Sequence, residues 1–103
     1  MIKVWEQVDN GSTISEVGCD GGIILKDEEI IGARITLEEG SILAKYSITC
    51  GIYGLMVHTV CAQNKEAALS KYEEMKFEVE KFLVQDYGEE EASAWCDAFV
   101  NKF

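Results

Sequence analysis

Apolar and polar residues alternate along two neighbouring stretches in the first half of the chain, residues 30–38 and 41–50. Between them stands Glu39-Gly40, and glycine supplies the positive φ that a two-residue hairpin turn requires. A register that places only apolar side chains on one face is favoured, because a one-residue slip would mix the two faces. The facing pairs in this predicted hairpin are Leu37 with Ile42, Ile35 with Ala44, Ala33 with Tyr46 and Ile31 with Ile48.

A third strand is predicted over residues 55–62, after the glycine-flanked turn at residues 51–54. If Cys50 lies opposite Leu55, alternation divides the side chains of this strand between two faces. The apolar face then carries Leu55, Val57, Thr59 and Cys61, whereas the wetter face carries Met56, His58 and Val60. In this arrangement His58 and Cys50 point to opposite sides of the sheet.

Further strands are predicted upstream. Residues 22–26 pair with the strand that begins at Ile30, and the acidic stretch 27–29 forms the turn between them. Residues 2–8 and 13–17 flank Asp9-Asn10-Gly11-Ser12, a composition typical of turns. We therefore expect an antiparallel meander of four to six strands.

The second half of the chain has helical periodicity. Asn64 is a favourable N-cap for a long helix over residues 64–87, and Gly88 suits its C-terminal end. The side chains predicted to face the sheet are Ala68, Tyr72, Met75, Val79, Phe82 and Leu83. A final helix over residues 89–102 opens with three glutamates, which favour the positive end of the helix dipole. Its predicted buried stripe is Ala92, Trp95, Cys96, Phe99 and Phe103.

This order of elements predicts an α+β fold with two layers, in which an antiparallel β-meander carries two C-terminal helices on one face. The chain of 103 residues, 48% apolar and 27% charged, is expected to form a single domain. That domain, 1–103, divides into a sheet over 1–62, a long helix over 64–87 and a C-terminal helix over 89–102.

The charge is strongly one-sided. Nine Lys and Arg stand against 19 Asp and Glu, which gives a formal net charge of −10. This surplus argues against binding to nucleic acid or to an anionic membrane. Because the chain also starts without an apolar leader and has no apolar run of bilayer length, we expect a soluble cytoplasmic protein.

The four cysteines, Cys19, Cys50, Cys61 and Cys96, do not form a metal-binding pattern. No C-x-x-C pair occurs, and a zinc site needs ligands in closer local pairs. In the register above, Cys50 and Cys61 are separated by roughly 20 Å along the strands, which is beyond disulfide reach. We expect no metal, no cofactor and no disulfide.

Two residues are weak candidates for catalysis. Cys19 stands in a glycine-rich stretch, Gly18 to Gly22, where an exposed thiol could lie near backbone N–H groups. A tight turn explains the same stretch, and the neighbouring carboxylates disfavour a thiolate. His58 is the only histidine, and a half-exposed strand position without a partner in hydrogen-bond reach is its simpler interpretation.

Phe77 and Val84 lie far from the apolar stripe of the long helix, one above the other at i, i+7. The final helix could cover them, which is the preferred interpretation, or another molecule could. In the second case they would form a partner-binding face together with Glu73, Glu74 and Glu80.

The sequence favours a non-enzymatic interaction protein that binds a basic protein partner or a second copy of itself. Its size and charge are similar to those of bacterial immunity proteins and other nuclease inhibitors, a likeness that rests on bulk properties only. The first alternative is a small-molecule-binding module or dimeric domain that uses the polar sheet face around Tyr53, Met56 and His58. The second alternative is an enzyme that uses Cys19 or His58.

Overall fold

The computed structural model describes residues 4–103, which form a five-stranded antiparallel sheet followed by two helices. The strands are β1 (Glu6–Gln7), β2 (Ile23–Ile30), β3 (Ala33–Glu39), β4 (Tyr46–Ile52) and β5 (Met56–Ala62). The helices are α1 (Lys65–Leu83) and α2 (Glu89–Lys102). Because each strand pairs with the next one along the chain, the predicted α+β meander with two C-terminal helices is confirmed.

The prediction that the acidic stretch 27–29 forms a turn is wrong, because these residues lie inside β2. The chain reverses instead at Ile31-Gly32, where Gly32 has a φ of +101°. A bulge between Ile24 and Lys26 shifts the pairing of β2 with β3. The acidic residues are accommodated within the strand because basic and hydroxyl side chains bind Asp27 and Glu28.

The N-terminal segment forms less β-structure than expected. The predicted strand over 13–17 is wrong, since this segment makes turns and a single bridge between Val17 and Ile23. The predicted strand over 2–8 is shortened to β1, and residues 1–3 lie outside the described part of the chain. The turn predicted at residues 9–12 is present as a short 3-10 helix, Val8–Gly11.

The register between β3 and β4 differs from the prediction by six residues. Leu37 faces Ile48, and Ile35 faces Cys50, so that a longer loop over residues 40–45 replaces the two-residue turn. The Ser41 hydroxyl accepts hydrogen bonds from backbone N–H groups within this loop. An even shift keeps every residue of β3 and β4 on the face assigned from alternation.

The prediction for β5 is wrong in a different way. Cys50 lies opposite His58 rather than opposite Leu55. The odd difference turns every side chain of β5 to the other face, so that Val60 is buried and Val57 is exposed.

Helix α1 begins as predicted, and the Asn64 side chain accepts a hydrogen bond of 2.8 Å from the Ala67 N–H. It ends at Leu83, earlier than the expected residue 87. The buried core between α1 and the sheet includes Ile35, Leu37, Ile48, Cys50, Tyr72, Met75 and Val79.

Helix α2 is attached through aromatic side chains. Trp95 stacks on Phe82 of α1, with ring centroids 4.3 Å apart, and on Phe99, with centroids 5.0 Å apart. Helix α2 does not cover the two outlying residues of α1, since Phe77 is 58% and Val84 64% exposed. The preferred interpretation of these two residues is therefore wrong. Neither helix of the described residues 4–103 has the length and apolar character needed to cross a bilayer.

Candidate functional site

The sheet face opposite the helices holds a cavity of about 420 Å³. Polar side chains of β3 and β4 form its floor, and the loop segment 13–20 forms one wall. The loop that joins β4 to β5 and the start of β5 contribute Tyr53 and Val57. The cavity therefore lies where three separate stretches of the chain meet.

Arg34 lines the cavity and makes two parallel hydrogen bonds to Asp27, of 2.9 and 2.6 Å. The Asp27 carboxylate is fully buried, and the Thr36 hydroxyl donates a further hydrogen bond of 3.0 Å to it. Burial alone would raise the pKa of Asp27, but polar neighbours, of which Arg34 has the largest effect, outweigh it and lower the pKa. The pair is thus internally neutral and fixed in position.

Glu38 is a second buried carboxylate of the cavity lining, and the residue is only 2% exposed. It accepts hydrogen bonds from the backbone N–H of Gly22, at 2.9 Å, and of Asp20, at 3.3 Å. These bonds tie the end of β3 to the glycine-rich stretch. Among residues 4–103, no basic side chain pairs with this carboxylate.

The glycines in that stretch have a steric role. A Cβ atom at Gly18 would collide with the Glu38 carboxylate, and one at Gly22 would lie 2.8 Å from the backbone oxygen of Glu39. Only glycine lets this segment approach β3 so closely. The glycine-rich stretch is thus explained by packing around Glu38.

Asp20 continues the polar lining. Its carboxylate accepts hydrogen bonds of 3.2 Å from the hydroxyls of Ser47 and Thr49 on β4. Thr49 in turn lies 3.0 Å from the Thr59 hydroxyl on β5. The donors around Asp20 are therefore neutral hydroxyl groups, and its negative charge is solvated without being cancelled.

The rim of the cavity is apolar. Val17, Tyr53 and Val57 line the cavity and are all largely exposed to solvent. A polar floor under an apolar, accessible rim is typical of sites that bind small organic molecules.

The two catalytic candidates lie apart. Cys19 is exposed and lines the cavity. His58 lies on the opposite side of the sheet, where its ring is edge-on to that of Phe99 of α2, with ring centroids 6.2 Å apart. Since the sheet separates them, these two residues cannot act on one substrate together.

Of the predicted partner-binding residues, four lie on α1 and Val84 is its C-cap residue. The exposed carboxylates of Glu73 and Glu74 form ion pairs, the first with Lys26 at 4.0 Å and the second with Lys102 at 3.4 Å. Glu80 is half-buried. The acidic charge beside Phe77 is thus partly neutralised within the molecule.

Sequence reasoning missed the residues of the cavity floor, Arg34, Thr36 and Glu38. The signal was present, because these side chains alternate with Ile35 and Leu37 along β3 and so share one face. A solvent-facing strand carries the same alternation, and only the folding of segment 13–20 over it distinguishes the two cases.

No group of three metal-binding side chains occurs among residues 4–103. Comparisons with protein-family models, with curated proteins and with solved structures found no match for this chain.

Proposed function

We propose that this protein is a small-molecule-binding module and that the cavity on the open sheet face is its binding site. The observation that carries the proposal is the cavity itself, whose volume of about 420 Å³ falls within the range of roughly 300–1,000 Å³ typical of ligand pockets. The site differs from the one expected from the sequence, since it includes Tyr53 but neither Met56 nor His58.

The lining is organised before any ligand arrives. Arg34 is held by Asp27, and Asp20 is held by the hydroxyls of Ser47 and Thr49. Side chains fixed in this way lose little conformational freedom when a ligand binds, so that more of the contact energy contributes to affinity.

A cavity-filling substitution tests the proposal directly. Gly51 lines the cavity from β4, and a Cβ atom there would lie 3.7 Å from the nearest Val57 methyl, an ordinary contact. Gly51→Val therefore places a side chain in the cavity without backbone strain, and valine suits a strand. Gly88→Ala is a matched control, because the nearest atom to its Cβ would be 3.6 Å away and the residue lies outside the cavity.

The measurement is a fragment screen by ligand-observed NMR on the wild type and both variants. We expect fragments that bind the wild type and Gly88→Ala but lose binding to Gly51→Val. Fragments that bind Gly51→Val as well as the wild type, or a screen without binders, would contradict the proposal.

A second candidate is binding of a basic protein, or of a second copy, through α1. The exposure of Phe77 and Val84, which lie about two helical turns apart, favours it, because large apolar side chains left exposed on a charged surface often mark a contact site. The net charge of −10 would steer a basic partner towards this surface.

This candidate is tested with Phe77→Ser and, as a control, Ile42→Ser, which changes an 88% exposed side chain in the 40–45 loop. Proteins retained at low salt are eluted from the immobilised chain with a salt gradient, and light scattering gives the mass of each variant. Weaker retention or lower mass for Phe77→Ser alone would support the α1 surface. Equal behaviour of both variants and the wild type would remove it.

A further inference from the structure

We propose that the ligand of this cavity is an organic cation, an amine attached to an apolar body. The inference deepens the proposed function and rests on it. Three observations carry it: a buried carboxylate in the lining without an ion-pair partner in residues 4–103, the pairing of Arg34 with Asp27, and the apolar rim.

Glu38 is the decisive residue. A carboxylate offers about four lone-pair positions, and the N–H groups of Asp20 and Gly22 occupy two of them. A buried charge without a counter-charge is unfavourable, so that a ligand bringing a positive group close to Glu38 would be bound more tightly than a neutral one. Two acceptor positions remain on this carboxylate, and Glu38 is one of the residues that line the cavity.

The charges that line the cavity sum to a negative value. Among the described residues 4–103, Arg34 is the only basic residue of the lining, and its charge is matched by Asp27. Glu16, Asp20 and Glu38 also line the cavity, and none of them forms an ion pair within residues 4–103. Their combined field attracts a cation and repels an anion.

The apolar rim of the cavity indicates that the ligand has an apolar body beside its amine. Tyr53 offers an aromatic face, and Val17 and Val57 offer aliphatic surface at the mouth of the cavity. A hydrated metal ion would leave these exposed apolar groups unused, whereas an amine with a ring or alkyl body would cover them. Burial of that surface adds to the attraction of the charge.

The experiment uses three probes with similar bodies and different charges: 2-phenylethylamine, 2-phenylethanol and 3-phenylpropionate. Titrations of the intact protein are followed by two-dimensional NMR, and the shifted residues are mapped onto the cavity. We expect the amine to bind about tenfold more tightly than the alcohol, and the carboxylate not to bind.

Two substitutions locate the charge preference. Asp20→Asn and Glu38→Gln each keep a hydrogen-bond acceptor. Glu38→Gln should bring the affinity for the amine close to that for the alcohol, and Asp20→Asn, which removes a second negative charge of the lining, should reduce the preference for the amine. Glu38→Gln alters the more buried site, so Asp20→Asn provides the test should the former not fold. Asp86→Asn is the control, since it removes one exposed negative charge outside the cavity and should leave the preference unchanged.

Equal binding of amine and alcohol in the cavity would overturn the cation inference and leave the proposed function standing. Equal loss of amine affinity in Asp20→Asn and Asp86→Asn would also overturn it, because the preference would then come from net charge alone. Calcium chloride at millimolar concentration that shifts the cavity residues and displaces the amine would assign the carboxylates to a metal ion instead. Absence of binding by all three probes, in a protein whose cavity binds other fragments, would overturn the cation inference alone, and absence of fragment binding as well would overturn both proposals.

Discussion

Cys50 on β4 and His58 on β5 lie directly opposite each other, with both side chains on the helix-facing side of the sheet. A thiol beside an imidazole is a common catalytic pair, but burial raises the pKa of Cys50 to about 12. The thiol therefore stays protonated at neutral pH. The His58 Nε2 atom is buried and has no hydrogen-bond partner within the described residues 4–103. Both side chains pack between the sheet and the helices.

Alkylation distinguishes the exposed thiols from the buried one. Cys19 and Cys61 are exposed, whereas Cys50 is buried. Iodoacetamide at neutral pH should therefore modify Cys19 and Cys61 in the folded protein and Cys50 only after denaturation. Peptide mapping by mass spectrometry before and after unfolding measures this. Modification of Cys50 under native conditions would contradict its burial.

The observed register of β3 and β4 can be tested by truncation. Ile35 is fully buried opposite Cys50, so Ile35→Ala should lower the free energy of unfolding by about 2–5 kcal/mol. Ile42→Ala should change it by less than about 0.5 kcal/mol, because Ile42 is in the exposed loop. Urea titration measures both. A large loss for Ile42→Ala would instead favour the two-residue turn, which places Ile42 in the core.

Glu28 should make stability depend on pH. It accepts hydrogen bonds of 2.6 Å from the Tyr72 hydroxyl and 3.1 Å from the Lys76 ammonium. Burial opposes ionisation of Glu28, but these two partners prevail and lower its pKa below the ordinary 4.5. A lowered folded-state pKa stabilises the protein above the unfolded-state pKa, and this stabilisation is lost as the pH falls through the folded-state pKa.

Glu28→Gln should therefore lower the free energy of unfolding by about 1–3 kcal/mol at neutral pH. The difference from the wild type should shrink as the pH falls below about 5. Urea titrations at several pH values measure this, with Asp86→Asn as a control for an exposed carboxylate. A difference that stays constant with pH would show that the charge of Glu28 is not responsible.

Phe99 should anchor α2. It is almost fully buried and contacts the rings of His58, Trp95 and Phe103. Phe99→Ala should lower the free energy of unfolding by about 3–5 kcal/mol, whereas the neighbouring Val100→Ala should have a much smaller effect. Thermal unfolding followed by circular dichroism compares the two. Similar losses for both variants would indicate that α2 is not held through its aromatic stripe.

Alternation within single strands was readable from the sequence, but the pairing between strands was not. In β3, the buried Ile35 and Leu37 and the polar Arg34, Thr36 and Glu38 follow the period of two set by backbone geometry. In β5, both alternating sets contain apolar residues, Val57 in one and Val60 in the other, so the sequence did not indicate which set faces the helices.

The sequence by itself determined the local features of this protein: the strand periodicity, the Asn64 cap, the aromatic stripe of α2 and the order of sheet and helices. These depend on neighbouring residues and on the fixed geometry of strand and helix. Tertiary structure alone decided the register of β3 on β4, the inward face of β5 and the assembly of the cavity around Glu38. Those features depend on differences in free energy between alternative contacts of distant segments. The local sequence pattern carries little information about these free-energy differences.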